Sequence, residues 1–198
     1  MSLLLESIKL LNGEFMNVSY HEQRMNRSLK DLCGFIGHFD LDEFLNKVEG
    51  PKDGLYKCRL VYDEDSKDIE FLKYTPRSVG SLLVVEHDRI IYNYKYTDRT
   101  LIDRLFDRRG SNDDILIVRQ GIVTDTSYAN IAFRKGKRWY TPWSPLLKGT
   151  MRAYLLERNI IQEEEIRLED VETFETFRLM NAMIGFESDE SPVANIIF

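Results

Sequence analysis

The chain has 198 residues, 43% of them hydrophobic and 30% charged, with a formal net charge of −6. That is enough apolar material for one ordinary domain or two small ones, and the acidic balance argues against a nucleic-acid partner, which calls for a basic face. The two cysteines, Cys33 and Cys58, belong to no close Cys or Cys/His cluster, which argues against a zinc site or a disulfide framework and leaves no metal expected.

The opening run Met1-Ser2-Leu3-Leu4-Leu5 is interrupted at once by Glu6 and Lys9. It has neither the basic leader nor the small-residue cleavage site of a signal peptide. Leu5 to Leu11 alternates as a strand, Asn12-Gly13 reads as a hairpin turn, and Glu14 to Val18 as the returning strand. Tyr20 to Leu29 has apolar positions at helical spacing, with Ser19 as its cap. Asp40 to Leu45 reads as a second short helix, and Gly50-Pro51-Lys52-Asp53-Gly54 breaks the chain. Strands are expected over Leu55 to Tyr62, Ile69 to Tyr74 and Leu82 to Val85. Thr97 to Arg108 is a helix with Leu101, Ile102, Leu105 and Phe106 as its apolar stripe.

Ile115 to Val118 and Ala129 to Phe133 are strand-like, with a turn at Arg119-Gln120-Gly121 after the first. Trp139-Tyr140-Thr141 extends the sheet until Pro142 and Pro145 stop it. Met151 to Arg158 is helical. The basic runs at Arg134 to Arg138 and Asp107-Arg108-Arg109 read as solvated turns and helix ends. No apolar run approaches the roughly twenty residues of a membrane helix, so a soluble, cytoplasmic protein is expected. Hairpin groups with helices between them favour a mixed α/β (α+β) architecture over a doubly wound parallel sheet. A boundary within Arg77 to Asn93 divides the chain into a small domain, 1–85, and a second domain, 86–198.

Certain residues carry chemistry when taken in order. Lys95 is flanked by Tyr94 and Tyr96, which desolvate its ammonium. An isolated lysine is far more often a surface charge than a nucleophile, so its case rests on the residues C-terminal to it. Gly121 to Ile131 contains Asp125 and Asn130, and Leu147-Lys148-Gly149-Thr150-Met151-Arg152 opens a helix. Asn181-Ala182-Met183 comes near the end. An amine, a later acid and two anion-holding turns are what pyridoxal phosphate chemistry needs.

In this order the residues resemble the class IV aminotransferase family, and most closely the 4-amino-4-deoxychorismate lyases. The opening Glu6-Ser7-Ile8 with His21-Glu22-Gln23-Arg24-Met25 resembles the family's Glu-Thr-Ile and His-x-x-Arg-Leu. The resemblance implies two small domains with pyridoxal 5′-phosphate between them. It makes Lys95 the Schiff-base lysine and general base, and Asp125 the acid against the pyridine nitrogen, where the family has the longer glutamate. Arg24, Gly149, Thr150, Met151, Asn181 and Ala182 would bind the phosphate. Arg59, on a predicted strand, is the candidate for the substrate carboxylate. His21 is read as a structural hydrogen-bond donor on its helix, and His38 and His87 as non-catalytic.

The implied activity is release of pyruvate and 4-aminobenzoate from a small amino substrate by a homodimer. An amino-acid aminotransferase of the same family is the alternative. A non-catalytic relative that binds a ligand or partner is a third, and it predicts a colourless protein.

Overall fold

The structure, a computed structural model, describes residues 3–198; Met1 and Ser2 of the opening run lie outside the described residues. The chain forms two compact units. The first comprises the residues up to Pro76 together with Tyr94–Asp98, and the second Arg77–Asn93 together with Arg99–Phe198.

The first unit is a sheet of four strands, β1 (Leu4–Leu11), β2 (Glu14–Phe15), β3 (Leu55–Tyr62) and β4 (Lys67–Lys73), in the order β2-β1-β3-β4. Helices α1 (Val18–Cys33) and α2 (Leu41–Asn46) belong to it. Period-two alternation buries Leu4, Glu6, Ile8 and Leu10 on one face of β1. The register runs from Leu4 opposite Tyr62 to Leu11 opposite Leu55. Asn12 and Gly13 both have positive φ, as the hairpin requires.

The returning strand is shorter than its sequence suggests. Asn17 turns left-handed at φ 55°, and α1 begins at the next residue, with no side-chain cap from Asn17 or Ser19. Helix α1 buries His21, Arg24, Met25, Ser28 and Leu29 at helical spacing. It ends on Gly34 at φ 71°, whose N–H closes back on Leu29 and Lys30 carbonyls. Met25 and Leu29 join Leu41 and Leu45 of α2 and Leu4, Ile8, Cys58 and Leu60 of the sheet in one apolar core. Burial there pushes the Cys58 thiol up to about 12, so it packs as a small apolar residue. Both cysteines are free thiols.

The second unit has two sheets. One contains β5 (Leu82–Glu86), β6 (Asp114–Arg119) and β7 (Ile122–Thr126), with helix α3 (Thr100–Phe106) leading into it. The other is built on β8 (Asn130–Lys135) and β9 (Arg138–Pro142). Helix α4 (Thr150–Glu157) follows, then β10 (Gln162–Glu164), β11 (Thr176–Met180), β12 (Ser191–Pro192) and β13 (Ile196–Ile197). The sheet orders are β13-β5-β6-β7 and β10-β9-β8-β11-β12. Parallel pairs (β13 with β5, β5 with β6, β10 with β9) stand beside antiparallel ones, the mixed architecture expected from sequence.

Alternation along β8 decides what lies on each side of it. Ile131 and Phe133 enter a core with Leu116, Val118, Val123, Phe177 and Leu179. Ala132 faces the other way, with Met151, Leu155, Ile161 and Met180. A strand covered on both faces is held rigidly by packing, and it carries Asn130 at its first position.

Strand β9 ends at Pro142, as expected from the sequence; β10 pairs with β9 in parallel, and the Pro142 carbonyl accepts from Arg152 Nη2 at 2.8 Å. One local expectation changes. The segment 122–126, which the sequence assigns to no element, is a strand in which Thr124, Asp125 and Thr126 are buried. Each has a partner that replaces water: Thr124 Oγ1 donates to the Ile117 carbonyl at 2.7 Å and Thr126 Oγ1 to that of Ala129 at 3.0 Å.

Candidate active site

The residues singled out from the sequence fall into two groups, one in each unit. In the first unit, Lys95 belongs to a short segment that pairs with β1. Leu5 N–H donates to the Lys95 carbonyl at 2.8 Å, Thr97 N–H to the Leu3 carbonyl at 2.9 Å, and Leu4 bridges Tyr96. Tyr94 and Tyr96, edge to face with ring centroids 6.1 Å apart, pack against the apolar core. Lys95 alternates with them and stands opposite Leu5 in register. Main-chain pairing thus fixes its backbone independently of its side chain.

Arg24 sits at the centre of a buried polar cluster. Its Nε donates to Glu6 Oε1 at 2.8 Å and its Nη2 to Glu6 Oε2 at 2.5 Å, a two-pronged fork on a carboxylate with no exposure. His21 Nδ1 lies 2.6 Å from Glu6 Oε2. Burial by itself pushes the Glu6 carboxyl up, but the charge and hydrogen bonds of Arg24, with those of His21, outweigh it and hold the carboxyl at about 2. Burial pushes the His21 imidazole down against the pull of Glu6, with Arg24 and Lys95 pushing the same way as burial. A neutral His21 therefore donates its Nδ1–H to a charged Glu6, the structural role expected for it.

Arg59 stands between Ser7 and Glu70 in the sheet, on the face opposite Cys58 and Leu60. Its Nη1 is 4.0 Å from Glu70 Oε2, and about a third of its side chain is exposed. Alternation places it on the same face as Ser7 and Leu5, apart from the Arg24 cluster on the helix side.

In the second unit, Asp125 is 5% exposed. Asn130 Nδ2 donates to its Oδ1 at 2.6 Å, and Leu147 N–H donates to its Oδ2 at 2.9 Å. Burial pushes the carboxyl up to about 6, against those hydrogen bonds and the charge of Arg152. The turn after Asp125 is pinned as well: Arg99 Nη2 donates to the Ser127 carbonyl at 2.8 Å and Ser127 N–H to Asp114 Oδ1 at 3.3 Å.

The loop into α4 bears the other candidates. Gly149 is the cap residue and brings no side chain to the first turn of the helix. Thr150 is 4% exposed, and the Met151 side chain belongs to the core beside α4, so any contact of Met151 with an anion comes from its backbone. Arg152, which completes the motif, is committed elsewhere: its Nη2 donates to the Pro142 carbonyl at 2.8 Å and to Glu163 at 2.7 Å. The Asn181 side chain builds its own turn, accepting from Met183 N–H at 2.8 Å and Ile184 N–H at 3.1 Å. Its Nδ2 donates to the Tyr128 carbonyl at 3.4 Å, so the amide of Asn181 is committed within its own surroundings.

Pyridoxal phosphate fits these residues. The buried Asp125 carboxylate takes its hydrogen bonds from neutral donors and has a raised pKa, and a protonated pyridine nitrogen supplies the cation that such a group favours. An eight-residue helix whose cap offers its first-turn N–H groups no side chain suits a phosphate. Glu6 and Asn130 belong to the motifs quoted from the sequence but are given no role there. Their signal is in the spacing, Glu6 before the His-x-x-Arg helix and Asn130 five residues after the acid. Among the described residues no cluster of potential metal ligands is found.

Because the Asp125 carboxyl is raised from 3.8 to about 6, the folded protein holds a proton that the unfolded chain has released across that interval. Ionising this group therefore opposes folding as pH rises from 3.8 through about 6, and a cation beside it relieves the cost above that range. Cofactor addition is expected to raise the thermal midpoint more at pH 7.5 than at pH 5. An equal rise at both would show that Asp125 does not face the cationic ring.

Residues 86–188 match the amino-transferase class IV family model. An uncharacterised protein of Haemophilus influenzae is 38% identical over 92% of this chain and 98% of its own. A crystal structure of "a putative 4-amino-4-deoxychorismate lyase" from Haemophilus somnus 129PT is 37% identical, covers 93% of this chain and 98% of that one, and superimposes with a TM-score of 0.88. A hypothetical aminotransferase from Mycobacterium tuberculosis in its PLP-bound form shares the fold at 16% identity, with a TM-score of 0.79 over 98% of this chain and 81% of that one.

Proposed function

The chain belongs to the class IV amino-transferase family of pyridoxal phosphate enzymes, and from that premise we propose that it is a lyase of the aminodeoxychorismate lyase kind, releasing pyruvate and 4-aminobenzoate. The observation that carries the reading is the 37% identity across 98% of the Haemophilus somnus chain.

When bound, pyridoxal phosphate accepts the electron pair left at the substrate α-carbon as a proton departs. Lys95 would hold the cofactor covalently through Nζ, and its amine, when free, would serve as the base for the α-proton. Asp125, ionised, would face the ring nitrogen and favour its protonated form. Arg24 meets the phosphate with the guanidinium edge turned away from Glu6, while Gly149, Thr150, Met151, Asn181 and Ala182 meet it with main-chain groups. Arg59 is the residue proposed for the substrate carboxylate, by a two-pronged contact that would displace its 4.0 Å approach to Glu70. The working form is a cytoplasmic homodimer, a reading taken from the family pattern and checked by light scattering.

The assay that tests the reading supplies aminodeoxychorismate with no keto acid. Pyruvate and 4-aminobenzoate appearing in equal amounts is the expected result. Product that forms only when a keto acid is added would make the chain an aminotransferase instead.

A further inference from the structure

We propose that Asn130 is a positioning residue for Asp125, and that residue 149 is glycine in order to admit it. The proposal rests on the reading that Asp125 meets the cofactor's ring nitrogen. Three hydrogen bonds close a ring: Asn130 Nδ2 to Asp125 Oδ1 at 2.6 Å, the same Nδ2 to the Leu147 carbonyl at 2.8 Å, and Leu147 N–H to Asp125 Oδ2 at 2.9 Å. Both hydrogens of one amide are thereby used, each carboxylate oxygen receives a donor, and the Leu146 N–H also bears on the group. Donors on different oxygens fix the rotation of the carboxyl group about its own axis.

Gly149 is the reason this ring can close. Its φ of −69° and ψ of 149° are open to any residue, so its backbone does not require glycine. The space does. A Cβ there would come within 2.0 Å of Asn130 Oδ1 and 3.2 Å of its Cγ. Any side chain at 149 therefore expels the Asn130 amide from its seat. Aspartate is one methylene shorter than the glutamate of the family pattern, and here the Asn130 amide and the Leu147 N–H both reach its carboxyl.

The test uses holoprotein loaded with pyridoxal phosphate labelled with 15N in the ring, whose chemical shift reads protonation of that nitrogen, together with the cofactor dissociation constant. Wild type is expected to show a protonated nitrogen at neutral pH. Asn130→Ala and Gly149→Ala should each move the shift toward the unprotonated form and weaken cofactor binding by about tenfold or more. In the Asn130→Ala background the clash is gone, so Gly149→Ala should add less than about twofold. That loss of effect is what a general packing defect at 149 would not produce.

Gly149→Ala costing the same in both backgrounds, or an unchanged ring nitrogen in Asn130→Ala, would overturn the proposal. Asn130→Ser serves if the alanine variant does not fold. Asp125→Ala separates the two layers. A nitrogen that stays protonated in that variant removes the acid's role and the proposal with it. A nitrogen that loses its proton there but not in the Asn130 variants removes the proposal alone.

Discussion

Lys95→Ala is expected to abolish turnover while leaving the fold intact. The main chain of Lys95, not its side chain, accepts the Leu5 N–H at 2.8 Å, and Tyr94 and Tyr96 pack against the core on their own account. Circular dichroism and the thermal midpoint of the apoprotein should therefore stay close to wild type. Chemistry should not. Loss of a positioned proton acceptor alone removes on the order of 10²–10⁴ in rate, and loss of the covalent anchor compounds it. Borohydride should no longer fix the cofactor to the protein, and the visible absorption of the loaded enzyme should be lost. A variant keeping a tenth of wild-type turnover, or still fixed to the cofactor by borohydride, would remove Lys95 from its role.

The largest effect on stability is expected at Glu6. Arg24 is 6% exposed and His21 not at all. Glu6→Ala leaves the guanidinium buried without its carboxylate. Breaking a buried pair from one side costs about 3–5 kcal/mol, because an uncompensated charge remains in low dielectric. Urea denaturation at neutral pH measures this directly, and a loss below about 1 kcal/mol would mean that water already reaches Arg24.

The pH dependence has a defined sign. The Glu6 carboxyl is depressed from 4.5 to about 2, so its contribution is fully present above pH 4.5 and declines as pH falls through about 2. The acid limb of wild-type stability should therefore be steeper than that of Glu6→Ala, and the two curves should converge in strong acid. Because Arg24 is the residue proposed for the phosphate, the same substitution should weaken pyridoxal phosphate more than pyridoxal.

Local chemistry makes much of this molecule legible in its sequence. Asn12-Gly13 admits positive φ at two successive positions, and that is enough to specify the opening hairpin. The stripe through Met25 and Leu29 specifies a helix because an apolar face must be buried. The order of lysine, acid and glycine-led helix points to the family because each is a short-range requirement of one chemistry.

Other features are illegible there because their cause lies in distant residues. Thr124-Asp125-Thr126 has the composition of a loop, yet it is a buried strand. Partners as far off as Ile117 and Leu147 take the place of water, and no local pattern announces them. Glu6 reads as an ordinary polar residue of an alternating strand until α1 lays Arg24 and His21 across it. Gly149 reads as a glycine for phosphate approach, whereas the contact that excludes a side chain is the Asn130 amide, nineteen positions earlier in the chain. The sequence alone determined where the chain could turn, where it had to bury a face, and which functional groups it carried. Only the tertiary structure decided which buried charges and amides meet, because a polar group leaves water at tolerable cost only where folding has brought its partner to it.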